Sequence, residues 1–89
     1  MLQKHLTIAN KLGLHARAAA KLAKTAARFA CVIQVSKEKS QVDCKSVMSL
    51  MLLAAGKGTV LEFSCDGEDE ELALEAIESL VTNLFDEGE

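Results

Sequence analysis

The chain has 89 residues, of which 49% are hydrophobic and 26% charged; that is enough for one small core and too apolar for a disordered segment. A net charge of −3, with no Trp, no Tyr and three Phe, excludes the basic, aromatic-bearing surface that nucleic-acid binding needs. The longest apolar run, 47–56, is too short to span a bilayer, and "MLQKHLTIAN" does not read as a leader. The expectation is a cytoplasmic protein with one domain over 1–89, no nucleic-acid partner and no membrane insertion.

The first element is a short strand, with Leu6 and Ile8 alternating with His5 and Thr7. "ANKLG" turns the chain. Strong helix formers then run from Ala16 to Phe29, and Ala19, Leu22, Ala23, Ala26 and Phe29 form an apolar face. Cys31, Ile33 and Val35 alternate in a second strand, "SKEKS" is a hairpin loop, and Gln41 to Asp43 make a brief third strand. Ser46 is placed to cap a short helix that begins at Val47 and is ended by Gly56 and Gly58. Leu61, Phe63 and Cys65 alternate in a fourth strand, and Gly67 marks a turn. "EDEE" suits the positive start of a last helix, whose buried stripe is Ala73, Leu74, Ile77, Leu80, Val81 and Leu84.

The order is β-α-β-β-α-β-α, an α+β fold with an antiparallel or mixed sheet and helices on one face. Thr7, Gln34, Glu62 and Ser64 are left for the watery face. Cys31, Cys44 and Cys65 lack CxxC spacing and are odd in number. They indicate neither a metal site nor a disulfide framework, and read as reduced cysteines.

The residue that asks for an explanation is His15, in "GLHARAAAKL". It falls at the N-cap of the first helix or next to it. The first amides of a helix carry partial positive charge and form an anion site. A phosphoryl group on the ring would place its oxygens on the amides of Ala16 and Arg17. The planar donors of the Arg17 side chain reach the same oxygens. Gly13 and Ala16 leave room for a partner to approach. His5, on the outer side of its strand, reads as an ordinary surface residue.

"NKLGLHARAAAKL" resembles the active-site segment of the HPr family, the histidine-containing phosphocarriers of the phosphoenolpyruvate-dependent phosphotransferase system, whose pattern is G-[LIM]-H-A-R-P-A. "KSVMSLMLLAAGKG" resembles the family's regulatory serine region, at the family's spacing from the histidine, and "GTVLEFSCDGEDEEL" also fits. The resemblance covers essentially the whole chain. It implies an open-faced β-sandwich, with four antiparallel strands in the order 1-4-2-3 and three helices on one face. It implies that His15 is phosphorylated on Nδ1 by enzyme I, that Arg17 helps hold and transfer the group, and that an enzyme IIA component receives it. Ser46 matches the serine that an HPr kinase/phosphorylase modifies. Val47, Met48 and Met51 match an exposed patch that docks partners. Lys24 and Arg28, on the first helix, read as solvated cations available to acidic partners. The protein is then a carrier component rather than a turnover enzyme, a monomer without cofactor or metal.

One position departs from the pattern: Ala18 stands where the family usually has Pro, which implies a slightly looser helix start with phosphorylation retained. "IANKLGLHAR" and "LFDEGE" look closer to the regulatory, nitrogen-type branch (NPr) than to sugar uptake. Two other readings stand beside the carrier. One is a non-catalytic regulator acting through phospho-Ser46 or protein binding, against which the presence of both His15 and Arg17 argues. The other is an unrelated small α+β binding module.

Overall fold

A computed structural model describes residues 1–86 of the chain; the last three residues of the acidic end "LFDEGE" lie outside them. The elements are β1 (Leu2–Thr7), α1 (Ala16–Ala26), β2 (Val32–Lys37), β3 (Ser40–Asp43), α2 (Val47–Leu52), β4 (Val60–Asp66) and α3 (Glu70–Thr82), followed by one turn over Leu84–Asp86. The four strands form one antiparallel sheet in the order β1-β4-β2-β3. Leu2 pairs with Cys65 and Thr7 with Val60 at the two ends of the β1–β4 ladder, and Val35 lies between Phe63 and Val42. Because β4 separates β1 from β2, and β2 separates β3 from β4, the connections through α1 and α2 are two interlocked split β-α-β units.

Alternation puts Leu6, Ile33, Val35, Leu61, Phe63 and Cys65 on the side that meets the helices, all buried. Against them lie Ala18, Ala19, Leu22, Ala23 and Ala26 of α1 and Ala73, Ile77 and Val81 of α3. The alanine-rich face of α1 lets that helix sit close to its neighbours. Leu50 and Leu53 bring α2 into the same core.

Several boundaries differ from the sequence reading. The first helix ends at Ala26, where bonds from Arg28 N–H to Thr25 O and Phe29 N–H to Ala26 O tighten the last turn. The Lys45 Nζ donates to Phe29 O at 2.7 Å there. The hairpin loop narrows to Glu38 and Lys39, with Glu38 at φ 55° and Ser40 already paired to Lys37. The second helix stops well before Gly56. Ala54 takes φ 51°, and Lys37 Nζ donates to Leu53 O and Ala54 O at 3.0 and 3.2 Å. A cation at a helix C-terminus is the expected complement to its exposed carbonyls.

Ser64 is buried rather than water-facing. It sits on a central strand, flanked by Gln3 on β1 and Gln34 on β2, whose side chains share its face. His5 is exposed as expected, but it pairs across the sheet with Glu62 at 3.4 Å. The helix stripe predicted to run through Leu84 instead gives way to Phe85, which is fully buried. Leu84, Phe85 and Asp86 all have positive φ, at 55°, 54° and 62°.

Asp69 stands at the N-cap position of α3 yet makes no side-chain bond to its own helix. Its carboxylate accepts the amides of Ala30 at 2.8 Å and Cys31 at 3.0 Å. That bond ties the end of the α1–β2 connection to the start of α3. The three cysteines are free thiols and all are buried. Burial, with a hydrogen bond to Asp69, pushes the Cys31 thiol up to about 11. Burial likewise raises Cys44 and Cys65. No helix among the described residues is long and apolar enough to cross a membrane.

Candidate functional site

The site grows out of the connection between β1 and α1. Ile8 leaves the sheet with its backbone still held, N–H to Thr59 O at 2.8 Å and O from Gly58 N–H at 2.7 Å. The next turn closes on itself. Gly13 N–H donates to Asn10 O at 3.2 Å, and Asn10 Nδ2 donates back to Gly13 O at 2.7 Å. Gly13 takes φ 67°, and a Cβ there would stand 2.5 Å from Ala55 O. Leu14 is buried and its N–H donates to Ala55 O at 2.8 Å. The turn is therefore seated on the segment that follows α2.

His15 comes next, half-buried, as the N-cap of α1 with extended φ −77° and ψ 179°. Its carbonyl accepts the first α-helical bond, from Ala19 N–H at 2.8 Å. The amides of Ala16, Arg17 and Ala18 precede that first donor and form the positive start of the helix. The imidazole does not cap them. Its Nδ1 lies 3.0 Å from Gly13 O. A carbonyl only accepts, so this contact requires the hydrogen on Nδ1. Arg17 is exposed, the second residue of the helix. Ala18 is fully buried and the helix starts regularly without a proline.

Lys24 is exposed in the last turn of α1, about 13 Å along the axis from His15 at the ordinary helical rise. Arg28 lies beyond the end of that helix, its guanidinium 5.6 Å from the Phe29 ring centre. These two cations are not gathered with His15 and Arg17.

Ser46 is the N-cap of α2, its Oγ accepting Ser49 N–H at 3.2 Å. The helix turns Leu50 and Leu53 into the core and leaves Val47, Met48 and Met51 exposed. Leu52 is 82% exposed and Met48 78%. At i and i+4 they lie on one face. Leu12, on the turn before His15, is 63% exposed. Sequence reasoning passed over Leu52, Leu12 and the buried Asn10. The spacing of Met48 to Leu52 was the signal for the first. Nothing local distinguishes the other two.

Residues 2–83 match the family described as "PTS HPr component phosphorylation site". The phosphocarrier protein HPr of Pseudomonas aeruginosa is 54% identical over 85 residues, 94% of each chain. That of Cupriavidus necator is 49% identical over 89 residues, the whole of both chains. A crystal structure of HPr from Thermoanaerobacter tengcongensis superimposes with a TM-score of 0.95 at 40% identity, covering 98% of each chain.

Proposed function

Because the chain belongs to the HPr family of phosphotransferase-system phosphocarriers, we propose that His15 is its phosphoryl acceptor, charged by enzyme I and discharged to an enzyme IIA component. The observation that carries this reading is the placement of His15 as N-cap of α1, with the amides of Ala16, Arg17 and Ala18 and the exposed Arg17 side chain directly after it. An imidazole there stands beside preformed positive charge for a dianionic group. In this reading the chain works in the cytoplasm as a monomeric, single-domain carrier over 1–89.

Transfer through Nδ1 requires a change in the ring. Nδ1 carries its hydrogen toward Gly13 O and Nε2 is buried in this orientation, so the ring must turn about χ2 before the proton can move from Nδ1 to Nε2. The Nδ1 lone pair then forms the N–P bond as the donor's bond to phosphorus breaks, and that bond's electron pair leaves with the donor. Arg17 and the helix amides bind the phosphoryl oxygens. Discharge to the acceptor runs the same step backwards.

Val47, Met48 and Met51, extended by Leu52, form the docking surface on α2, and methionine suits a surface that fits several partners in turn. Lys24 and Arg28 lie farther off and serve only partners large enough to reach along α1. Ser46 is the regulatory site, open to an HPr kinase/phosphorylase. A phosphate on its Oγ adds about −1.5 to −2 charges at the start of α2, which the helix tolerates and an acidic partner docking on Met48 does not. Ser46→Asp is expected to slow phosphorylation of His15, and equal rates for the two proteins would refute that regulation.

The carrier reading is tested with enzyme I and labelled phosphoenolpyruvate. The protein should acquire acid-labile, base-stable label, and His15→Ala should acquire none. Label that survives in His15→Ala moves the acceptor elsewhere. An absence of label in the wild type leaves the alternative, a regulator acting through Ser46.

A further inference from the structure

We infer that Asn10 is a positioning residue for His15, acting through the Gly13 carbonyl that both side chains address. The inference rests on the reading of His15 as the phosphoryl acceptor.

Asn10 is fully buried in a turn otherwise close to the surface. Its Nδ2 donates to Gly13 O at 2.7 Å, while its Oδ1 has no hydrogen-bond partner among the described residues. Leaving one end of a buried amide unsatisfied is unfavourable, and a leucine would fill similar space without that cost. The satisfied end therefore needs a use of its own.

Gly13 O has two lone pairs. One receives Asn10 Nδ2–H and the other faces His15 Nδ1 at 3.0 Å. Phosphorylation on Nδ1 replaces the hydrogen that this contact requires, so the ring must abandon Gly13 O. Gly13 is itself buried against Ala55 and Gly56, where an abandoned carbonyl is costly. Asn10 keeps that oxygen satisfied whether or not the ring is present. By sharing the acceptor it also loosens the hold of Gly13 O on the Nδ1–H tautomer. Asn10 thus favours the tautomer whose Nδ1 lone pair is available for attack.

The experiment compares wild type with Asn10→Leu and Asn10→Ala. Nitrogen-15 NMR of the imidazole gives the His15 tautomer ratio, and the initial rate of label uptake from enzyme I and phosphoenolpyruvate gives reactivity. Removing Asn10 should shift the ratio toward Nδ1–H by about twofold to threefold, since relief of a shared acceptor strengthens the remaining bond by only a fraction of its worth, and slow uptake by a similar factor. A folded Asn10→Leu with the wild-type tautomer ratio overturns the inference. If neither variant folds, the wild type decides. The scalar coupling across Asn10 Nδ2–H and Gly13 C=O should persist after His15 is phosphorylated, and its loss overturns the inference. The tautomer ratio is read without any phosphoryl donor, so a wild type that takes no label refutes the carrier reading alone.

Discussion

Gly13 and Ala55 meet backbone against backbone. Ala55 O accepts Leu14 N–H at 2.8 Å, and a Cβ on Gly13 would stand 2.5 Å from that oxygen and 2.7 Å from Gly56 Cα. The loop that carries His15 is thereby held to the segment after α2, which joins the candidate acceptor to the candidate docking helix. Gly13→Ala adds left-handed strain at φ 67° to a clash with backbone, which cannot swing aside as a side-chain tip can. The expected loss is about 2–4 kcal/mol in urea denaturation. A wild-type midpoint would show that the two loops separate freely.

Phe85 does for the C-terminal end of the described chain what Gly13 does for the site. Its ring is fully buried, and Lys21 on α1 donates from Nζ to its carbonyl at 2.8 Å. Phe85→Ala should cost about 3–5 kcal/mol by loss of apolar burial and creation of a cavity. Lys21→Ala should cost less, about 1 kcal/mol, the net worth of an ordinary bond. Equal losses in thermal or urea unfolding would mean that the turn is pinned by its backbone and not by its ring.

These two residues also divide what the sequence made legible from what it did not. The strands, the Ser46 cap and the inward Leu50 and Leu53 follow from local pattern, because alternation, helical spacing and a hydroxyl before a helix act over a few residues. The placement of His15 at the start of α1, with Arg17 just inside that helix, was legible for the same reason. Phe85 was not, because three consecutive positive-φ residues break the helical period that pointed to Leu84. The end of α2 was misplaced because Ala54 adopts a glycine-like φ and Lys37, from a strand, satisfies the last carbonyls. Glycines 56 and 58 looked like the stop only because local sequence shows nothing of Lys37. The burial of Ser64 depends on β4 being central, which is a property of strand order. Asn10 is polar and lies in a turn, so its burial arises only when that turn closes beneath His15.

Asp69 should give the protein a defined acid sensitivity. The Ala30 amide, and after it the thiol and amide of Cys31, hold its carboxyl below the usual aspartate range. A depressed native value means that the unfolded chain takes up the proton first as pH falls. The stabilisation is therefore complete above the unfolded value, near pH 4, and disappears as pH drops through the lower native one. Asp69→Asn should be less stable than wild type at pH 7, with the gap closing below about pH 4. Urea midpoints at pH 7, 5 and 3 measure this, and a gap that stays constant would remove Asp69 from the acid response.

Met48 and Leu52 separate docking from folding more cleanly than any other pair on α2. Both are largely exposed, whereas Leu50 between them is fully buried, so polar replacements at 48 and 52 leave the core intact. Met48→Glu and Leu52→Glu should each change stability by no more than about 0.5 kcal/mol. If α2 is the surface that meets enzyme I, the same variants should raise KM for phosphoryl transfer by about tenfold or more, as expected when an apolar anchor is lost from an interface. The maximal rate should be nearly unchanged, because neither side chain belongs to the group around His15. The distinction lies in which constant moves. A fall in the maximal rate with KM unchanged would place these residues in the transfer step, and wild-type kinetics in both variants would move the docking surface off α2 altogether.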